Sequence, residues 1–339
     1  MKILILWPHL DAGFKKEGIN INRVPNENNL TYPRLYYKHM LNNLLDFIEH
    51  GTVLHMPMCH ITTKRVNDFL ADNPHDVVFS VHKQHFELDI SRTICLKDIS
   101  LPGWFSFNEK GWGPTMSVYP FDVANGDPNS GAFELFLTNI INNKSKFEQP
   151  PVAGHIPLPD DFILWPCQIP GDQTLKWHAK LDTFDVLRDL AAWCHKNEKH
   201  LVVKLHPAAV NKPAKNEGYV NICKEINSPY VHWVDGYSIH DLLKKCSSVY
   251  LMNSGTGFEA LLHGKPVACF GAAEYDCVST IGIDRDLSDV YDSLEYDETK
   301  VKQFFDVFIQ NCINSQDIDT YQRMLPLMEK LANGNGPGR

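Results

Sequence analysis

The sequence predicts an α/β protein built on parallel sheets and divided into two domains. Three observations carry this. The chain has 339 residues, more than a single domain usually holds. It is 43% hydrophobic and 22% charged, so a core of ordinary size is available. In its second half, short apolar runs at 162–166, 201–205, 231–234, 248–252 and 266–270 alternate with helical stretches at 180–197, 217–226, 238–246 and 257–264. Such alternation means a parallel sheet covered by helices on both faces. Ligands of these sheets bind at the C-terminal ends of the strands.

The first half is less regular. Residues 2–7 read as a buried strand, and 29–50 as a long helix with Leu35, Met40, Leu41, Leu44, Leu45 and Ile48 at helical spacing. Residues 76–81 read as a second strand. The stretch 101–128 is rich in Gly, Pro and aromatic residues without a clean period, and reads as long loops; 131–145 reads as helix. A Pro-rich segment at 149–159 reads as a linker. The expected division is an acceptor-side domain at 1–155, a ligand-binding domain at 156–297, and closing helices at 298–339 that pack across both and end in a frayed tail.

Charge and cysteine usage exclude several classes. A net charge of −9 and an isoelectric point of about 5.9 argue against a nucleic-acid binder. A local phosphate site remains compatible with that charge. Nine scattered cysteines without a CxxC pair read as free thiols of a reducing compartment, with neither a disulfide framework nor a zinc site. The apolar N-terminus is too short for a signal peptide, and no run reaches the ~20 residues of a membrane span. The expectation is a cytoplasmic protein; peripheral attachment to the inner face of the membrane is compatible with it.

Chemistry concentrates at the strand ends of the second half. Asn253-Ser254-Gly255-Thr256-Gly257 follows one strand and opens into a helix carrying Glu259. Small residues admit close backbone approach, the hydroxyls of Ser254 and Thr256 add donors, and Glu259 one turn on suits a ribose diol. The same residues also suit a plain capped helix. The P-loop order is absent. Lys204-Leu205-His206-Pro207 ends another strand, and His206 there can serve a phosphate or leaving group, or be a simple loop histidine. Gln168 through Asp172 follows the first strand of this half; Asp172 reads either as a cleft carboxylate or as a turn residue. In the first half, Asp11, Gly103, Trp104, Trp112 and Ser117 are candidates for sugar binding, the Trp side chains by stacking. His82 and His85 have a spacing that suits a metal pair, but no third ligand stands near, so no metal is assigned.

The run Ser254-Gly255-Thr256-Gly257-Phe258-Glu259-Ala260-Leu261-Leu262, with Gly264-Lys265-Pro266-Val267 and Phe270-Gly271, resembles the capsule polysaccharide synthesis family of bacterial retaining β-Kdo transferases. Gln168, Asp172 and His206-Pro207 stand in that family's order, and the resemblance covers about residues 160–278. It implies a GT-B-like pair of Rossmann-type domains with parallel sheets facing a central cleft. It also implies a CMP-activated 3-deoxy-ulosonic acid donor, a glycan or glycolipid acceptor, retention of configuration and no metal or cofactor. By that resemblance Asp172 is the nucleophile, Gln168 positions the carboxylate or the sugar, and His206 contacts the CMP phosphate. Ser254 and Thr256 bind phosphate, Lys204, Asn253, Gly255 and Gly257 shape the donor site, and Glu259 holds the ribose. Where the family has a large aromatic stretch, this chain reads Ala272-Ala273-Glu274-Tyr275-Asp276-Cys277, keeping only the Tyr. Two other readings stand beside this one: a GT-B enzyme using another nucleotide sugar, as a UDP-sugar transferase or epimerase, and a non-catalytic nucleotide- or glycan-binding protein.

Overall fold

The computed structural model describes residues 1–8, 34–48, 51–56, 62–88, 90–141, 145–146, 157–207 and 214–334. The chain forms two compact units, Met1–Tyr119 with Phe308–Arg339, and Pro120–Val307. The expected 155/156 boundary therefore falls inside the second unit, and the closing segment is shared: its start belongs to the second unit and its end to the first.

The first unit contains β1 (Ile3–Pro8), α1 (Arg34–Phe47), β2 (Thr52–Met56), α2 (Thr63–Asp72), β3 (Val77–Val81), α3 (His85–Leu88), β4 (Thr93–Asp98) and β5 (Trp104–Asn108). Its sheet has the order β12-β5-β4-β3-β1-β2, where β12 is Cys312–Asn314 from the end of the chain. β2, β1, β3 and β4 run parallel; β5 is antiparallel to β4, and β12 to β5. β1 is apolar throughout because both faces are covered. Ile3, Ile5 and Trp7 pack with Tyr37, Met40, Leu41 and Leu44 of α1 and with Tyr321, Met324 and Met328 near the chain's end. Leu4 and Leu6 face the other way, against Val66 of α2 and Leu88. Thr62 caps α2 by accepting from the Arg65 amide at 3.3 Å.

The stretch 101–128, expected as loops, contains β5, whose five residues are all buried. Its partners explain why a local reading misses it. It hydrogen-bonds β4 on one side and, on the other, a strand that arrives some two hundred residues later.

The second unit contains α4 (Ala132–Ile141), β6 (Ile163–Pro166), α5 (Gln173–His178), α6 (Thr183–Lys196), β7 (Leu201–Lys204), α7 (Ala214–Ile226), β8 (Val231–Val234), α8 (Ile239–Lys245), β9 (Ser248–Leu251), α9 (Thr256–Leu262), β10 (Val267–Cys269), β11 (Thr280–Ile281), α10 (Leu287–Asp292) and most of α11 (Glu298–Ile309). α12 (Leu325–Ala332) returns to the first unit. The second sheet is parallel, in the order β11-β10-β9-β6-β7-β8. Counted within the unit this is the 3-2-1-4-5-6 arrangement of a Rossmann sheet, with its switch point between β6 and β9. The alternation read from the sequence reports five of its six strands, because β6, β7, β9 and β10 are short buried apolar runs ended by polar or turn residues and β8 is bounded by buried valines; β11, two residues and not buried, leaves no such run.

α4, expected in the first domain, packs on α9 in the second unit. Phe133 and Phe136 meet Phe305 at 5.7 and 5.4 Å between ring centroids, and Phe258 of α9 meets Phe304 and Phe305 at 6.0 and 6.3 Å. Each buried Phe contributes about 1.5–3 kcal/mol relative to exposure, so this cluster fixes α4 and α11 to the unit. No helix among the described residues is long and apolar enough to cross a membrane.

Candidate active site

Three neighbouring strands, β9, β6 and β7, each deliver a polar residue two positions beyond their C-terminal ends: Asn253, Gln168 and His206. Gln168 and Asn253 clasp each other across the switch point. The Gln168 Nε2 donates to Asn253 Oδ1 at 3.0 Å, and the Asn253 amide donates to Gln168 Oε1 at 3.2 Å. Asn253 Nδ2 reaches the Thr174 carbonyl at 3.0 Å. Gly271 lies against this amide: a Cβ there would stand 3.2 Å from Asn253 Nδ2 and 3.3 Å from the His178 carbonyl. The Phe270-Gly271 pair thus keeps room beside the clasp.

Asp172 is reached through a tight turn. The Asp172 amide donates to the Ile169 carbonyl at 3.0 Å across Pro170-Gly171, and Gly171 has φ +81°, a conformation that costs glycine little. Asp172 is exposed and caps α5, accepting from the Thr174 amide at 2.9 Å and the Thr174 hydroxyl at 2.8 Å. It is thus both a turn residue and a carboxylate at the ligand edge. Gln168 does not bond Asp172. Thr174, a residue without a sequence signal, joins them, since Gln168 Nε2 also donates to its hydroxyl at 3.3 Å.

His206 is held by Asn216 of α7, which accepts from its amide at 3.3 Å, and Tyr219 of the same helix donates to the Gln168 carbonyl at 2.6 Å. α7 therefore buttresses the loops after both β6 and β7. Burial, with the neighbouring Lys204 ammonium, brings His206 down to about 4, against an opposing pull from Asp172. Near pH 7 it is a neutral imidazole, so it meets a phosphate as a hydrogen-bonding group and not as a standing cation. Lys146 and Lys215 also act on it electrostatically.

Lys204 ends β7 and is buried, its Nζ donating to the Leu205 carbonyl at 3.2 Å. Burial lowers its pKa, while Asp235, Cys167 and Glu259 pull it back up. Ser254, Gly255 and Thr256 form a half-buried lip, with Ser254 Oγ accepting from the Thr256 amide at 3.3 Å. Gly257 is required by packing: a Cβ would stand 2.1 Å from Cζ of Tyr275. Tyr275, the retained aromatic, donates to the Ser254 carbonyl and so ties the lip down. Glu259 is buried one turn into α9 and accepts from Ser145, another residue without a recognisable sequence signal. Burial pushes Glu259 up to about 7, opposed by the Ser145 bond, the Lys204 charge and a Thr256 bond.

The sugar-binding candidates of the first unit fare differently. Asp11 lies outside the described residues. Trp104 and Trp112 are buried in the core, so neither ring offers an open face for stacking. Gly103, at φ +81°, makes the turn into β5. Ser117 is exposed and pairs with Asn108, donating its amide to Oδ1 and accepting from Nδ2, both at 2.9 Å. His82 follows β3 with φ +67° and belongs to a closed cluster. Its Nδ1 accepts from Lys97 at 2.9 Å, its Nε2 lies 3.4 Å from Asp98 and also meets the Tyr37 hydroxyl, and Lys97 reaches Asp98 at 3.1 Å. Burial and the Asp98 charge hold the Tyr37 phenol well above its usual range. Among the described residues no three His, Cys, Asp or Glu side chains gather as metal ligands.

Residues 151–322 match the family described as capsule polysaccharide biosynthesis protein, and the chain belongs to that family. No curated protein matches the sequence. Two solved structures from Thermosulfurimonas dismutans are similar. One is the KpsC beta Kdo 2,4 transferase, 17% identical, with 84% of this chain and 90% of that one covered and a TM-score of 0.56. The other is the KpsC beta Kdo 2,7 transferase, 14% identical, with 85% and 95% covered and a TM-score of 0.51. At these identities the likeness is one of fold: two Rossmann-type α/β units of the GT-B kind.

Proposed function

We propose that this member of the capsule polysaccharide biosynthesis family is a retaining glycosyltransferase. It moves a 3-deoxy-ulosonic acid of the Kdo type from a CMP-sugar to a glycan or glycolipid acceptor in surface polysaccharide synthesis. The observation that carries the reading is the ligand edge of the second unit. There an exposed carboxylate, Asp172, a neutral imidazole, His206, a buried lysine, Lys204, at the end of β7, and a buried carboxylate, Glu259, in the helix after β9 stand around the clasped switch point. The two KpsC transferases named above share the fold.

The chemistry follows from these groups. The Asp172 carboxylate attacks the anomeric carbon of the donor as the bond to the CMP phosphate breaks and the electron pair leaves with the phosphate. An acceptor hydroxyl then displaces the carboxylate and loses its proton; two inversions give net retention. The ketose centre carries positive charge readily, so the carboxylate needs no metal to assist it. Lys204 and the lip amides offset the charge that develops on the departing phosphate, with His206 donating a hydrogen bond. Thr174 holds the Asp172 carboxylate in place through its hydroxyl.

Thermal unfolding with millimolar CMP, UDP and GDP tests the donor. A ligand bound only by the folded state stabilises it by about 2.7 kcal/mol at a hundredfold excess over Kd. A rise with CMP alone is expected. A rise with UDP or GDP instead overturns the donor, and no rise with any overturns the nucleotide-sugar reading.

A further inference from the structure

Glu259 is only 3% exposed, and its carboxylate accepts a hydrogen bond from one hydroxyl, with a second nearby that also lowers its pKa. The nearby one is Thr256 in the first turn of its own helix. The donor is Ser145, which is itself buried and stands 114 positions earlier in the chain. Ser145 follows α4, and α4 packs on α9, so the same packing that completes the unit brings this hydroxyl to the carboxylate.

We propose that Ser145 is a positioning residue of the nucleotide site: its hydroxyl holds the Glu259 carboxylate as an oriented acceptor for the ribose hydroxyls of the nucleotide. This rests on the reading that Glu259 binds ribose. The physical reason lies in the cost of a buried charge. Desolvation disfavours the carboxylate, and three groups oppose it, of which the Ser145 bond acts most strongly, ahead of the Lys204 charge and the Thr256 bond. A hydroxyl bound to an ionised carboxylate makes roughly twice the bond it makes to a neutral group. Without Ser145 the side chain takes up a proton at neutral pH and loses much of its value to a ribose.

Other titratable groups surround α9. Lys204 at the end of β7 is the charged group acting on Glu259. On α8, His240 pairs with His263 at the far end of α9 at 3.1 Å, and burial brings His263 down to about 4. Asp241, Lys244 and Lys245 also lie on α8. On α4, Glu134 is exposed and paired with Lys302 at 3.6 Å. Beyond β10, burial holds Tyr275 far above neutrality. The Glu259→Gln variant shares all of these groups, so the difference between it and a Glu259-bearing protein isolates the carboxylate.

The test is CMP binding from pH 6 to 9, with UDP in parallel, for the wild type, Ser145→Ala, Ser145→Thr and Glu259→Gln. Relative to Glu259→Gln, wild-type affinity should rise as pH passes about 7, where Glu259 ionises. In Ser145→Ala the rise should move to higher pH, leaving affinity several-fold lower at pH 7 and regained at pH 9. Ser145→Thr should restore the wild-type profile. An equal loss at every pH makes Ser145 merely structural, and a gain makes it an occupant of the ribose position; either overturns the proposal. If Glu259→Gln binds both nucleotides like the wild type, the ribose reading falls and this proposal with it. If the profiles appear with UDP and not CMP, the donor assignment falls while the role of Ser145 is supported.

Discussion

The two sheets end differently. At the ends of β3 and β4 of the first unit, Tyr37, His82, Lys97 and Asp98 pair with one another in a largely buried cluster. Beyond β6, β7 and β9 of the second, the side chains of Gln168 and Asn253 clasp each other, while Asp172 is exposed and the Ser254–Thr256 lip half-buried. Both edges are polar and both hold a histidine after a strand. What separates them is exposure. An edge whose charged groups are buried against each other holds the fold, whereas an edge with an exposed carboxylate and open small residues can receive a ligand.

Three substitutions test that contrast. The largest effect is expected from Asp172→Asn, with transfer to acceptor falling about a thousandfold or more. Asparagine caps a helix as well as aspartate does, so folding and the CMP-induced thermal shift should persist. Turnover close to wild type in this variant would remove Asp172 from the chemistry. Next is Gly257→Ala, whose new Cβ overlaps the Tyr275 ring. Overpacking of this kind costs about 1–3 kcal/mol, and a displaced Tyr275 releases the lip. Urea unfolding and the CMP shift should both decline; an unchanged CMP shift would mean that the lip does not bind the nucleotide. The smallest effect is expected from His82→Ala. It strips partners from Tyr37 and Asp98, costing about 1–2 kcal/mol by chemical denaturation, and it should leave the CMP shift intact. A CMP shift lost with His82 would break the division of labour between the two edges.

The second sheet is largely legible in the sequence because most of its strands are self-contained buried runs and its candidate site residues Gln168, His206 and Asn253 follow them at a fixed offset. Gln168, His206 and Asn253 can be placed from chain order alone, since a parallel sheet brings all strand ends to one edge. The first unit resists this reading. β5 hides in a Gly- and Trp-rich stretch, and its pairing with β12 is non-local. Trp104 and Trp112 look like stacking residues because composition does not report burial. Helical spacing reveals α4 but not its partner, so the boundary near 155 follows the prolines and not the packing. Ser145, Thr174, Asn216 and Tyr219 carry no pattern at all, for each matters only through one long-range or turn-specific bond.

The discontinuity of the first unit bears on synthesis. The second unit is one unbroken stretch, Pro120–Val307, and every strand of its sheet precedes β12 in the chain. The first unit, although begun earlier, must hold β5 without its outer neighbour until Cys312–Asn314 emerges. The second unit therefore needs no segment from outside its own stretch, whereas the first stays unfinished, with an open strand edge at β5 exposed to chaperones or to mispairing, until β12 pairs with it.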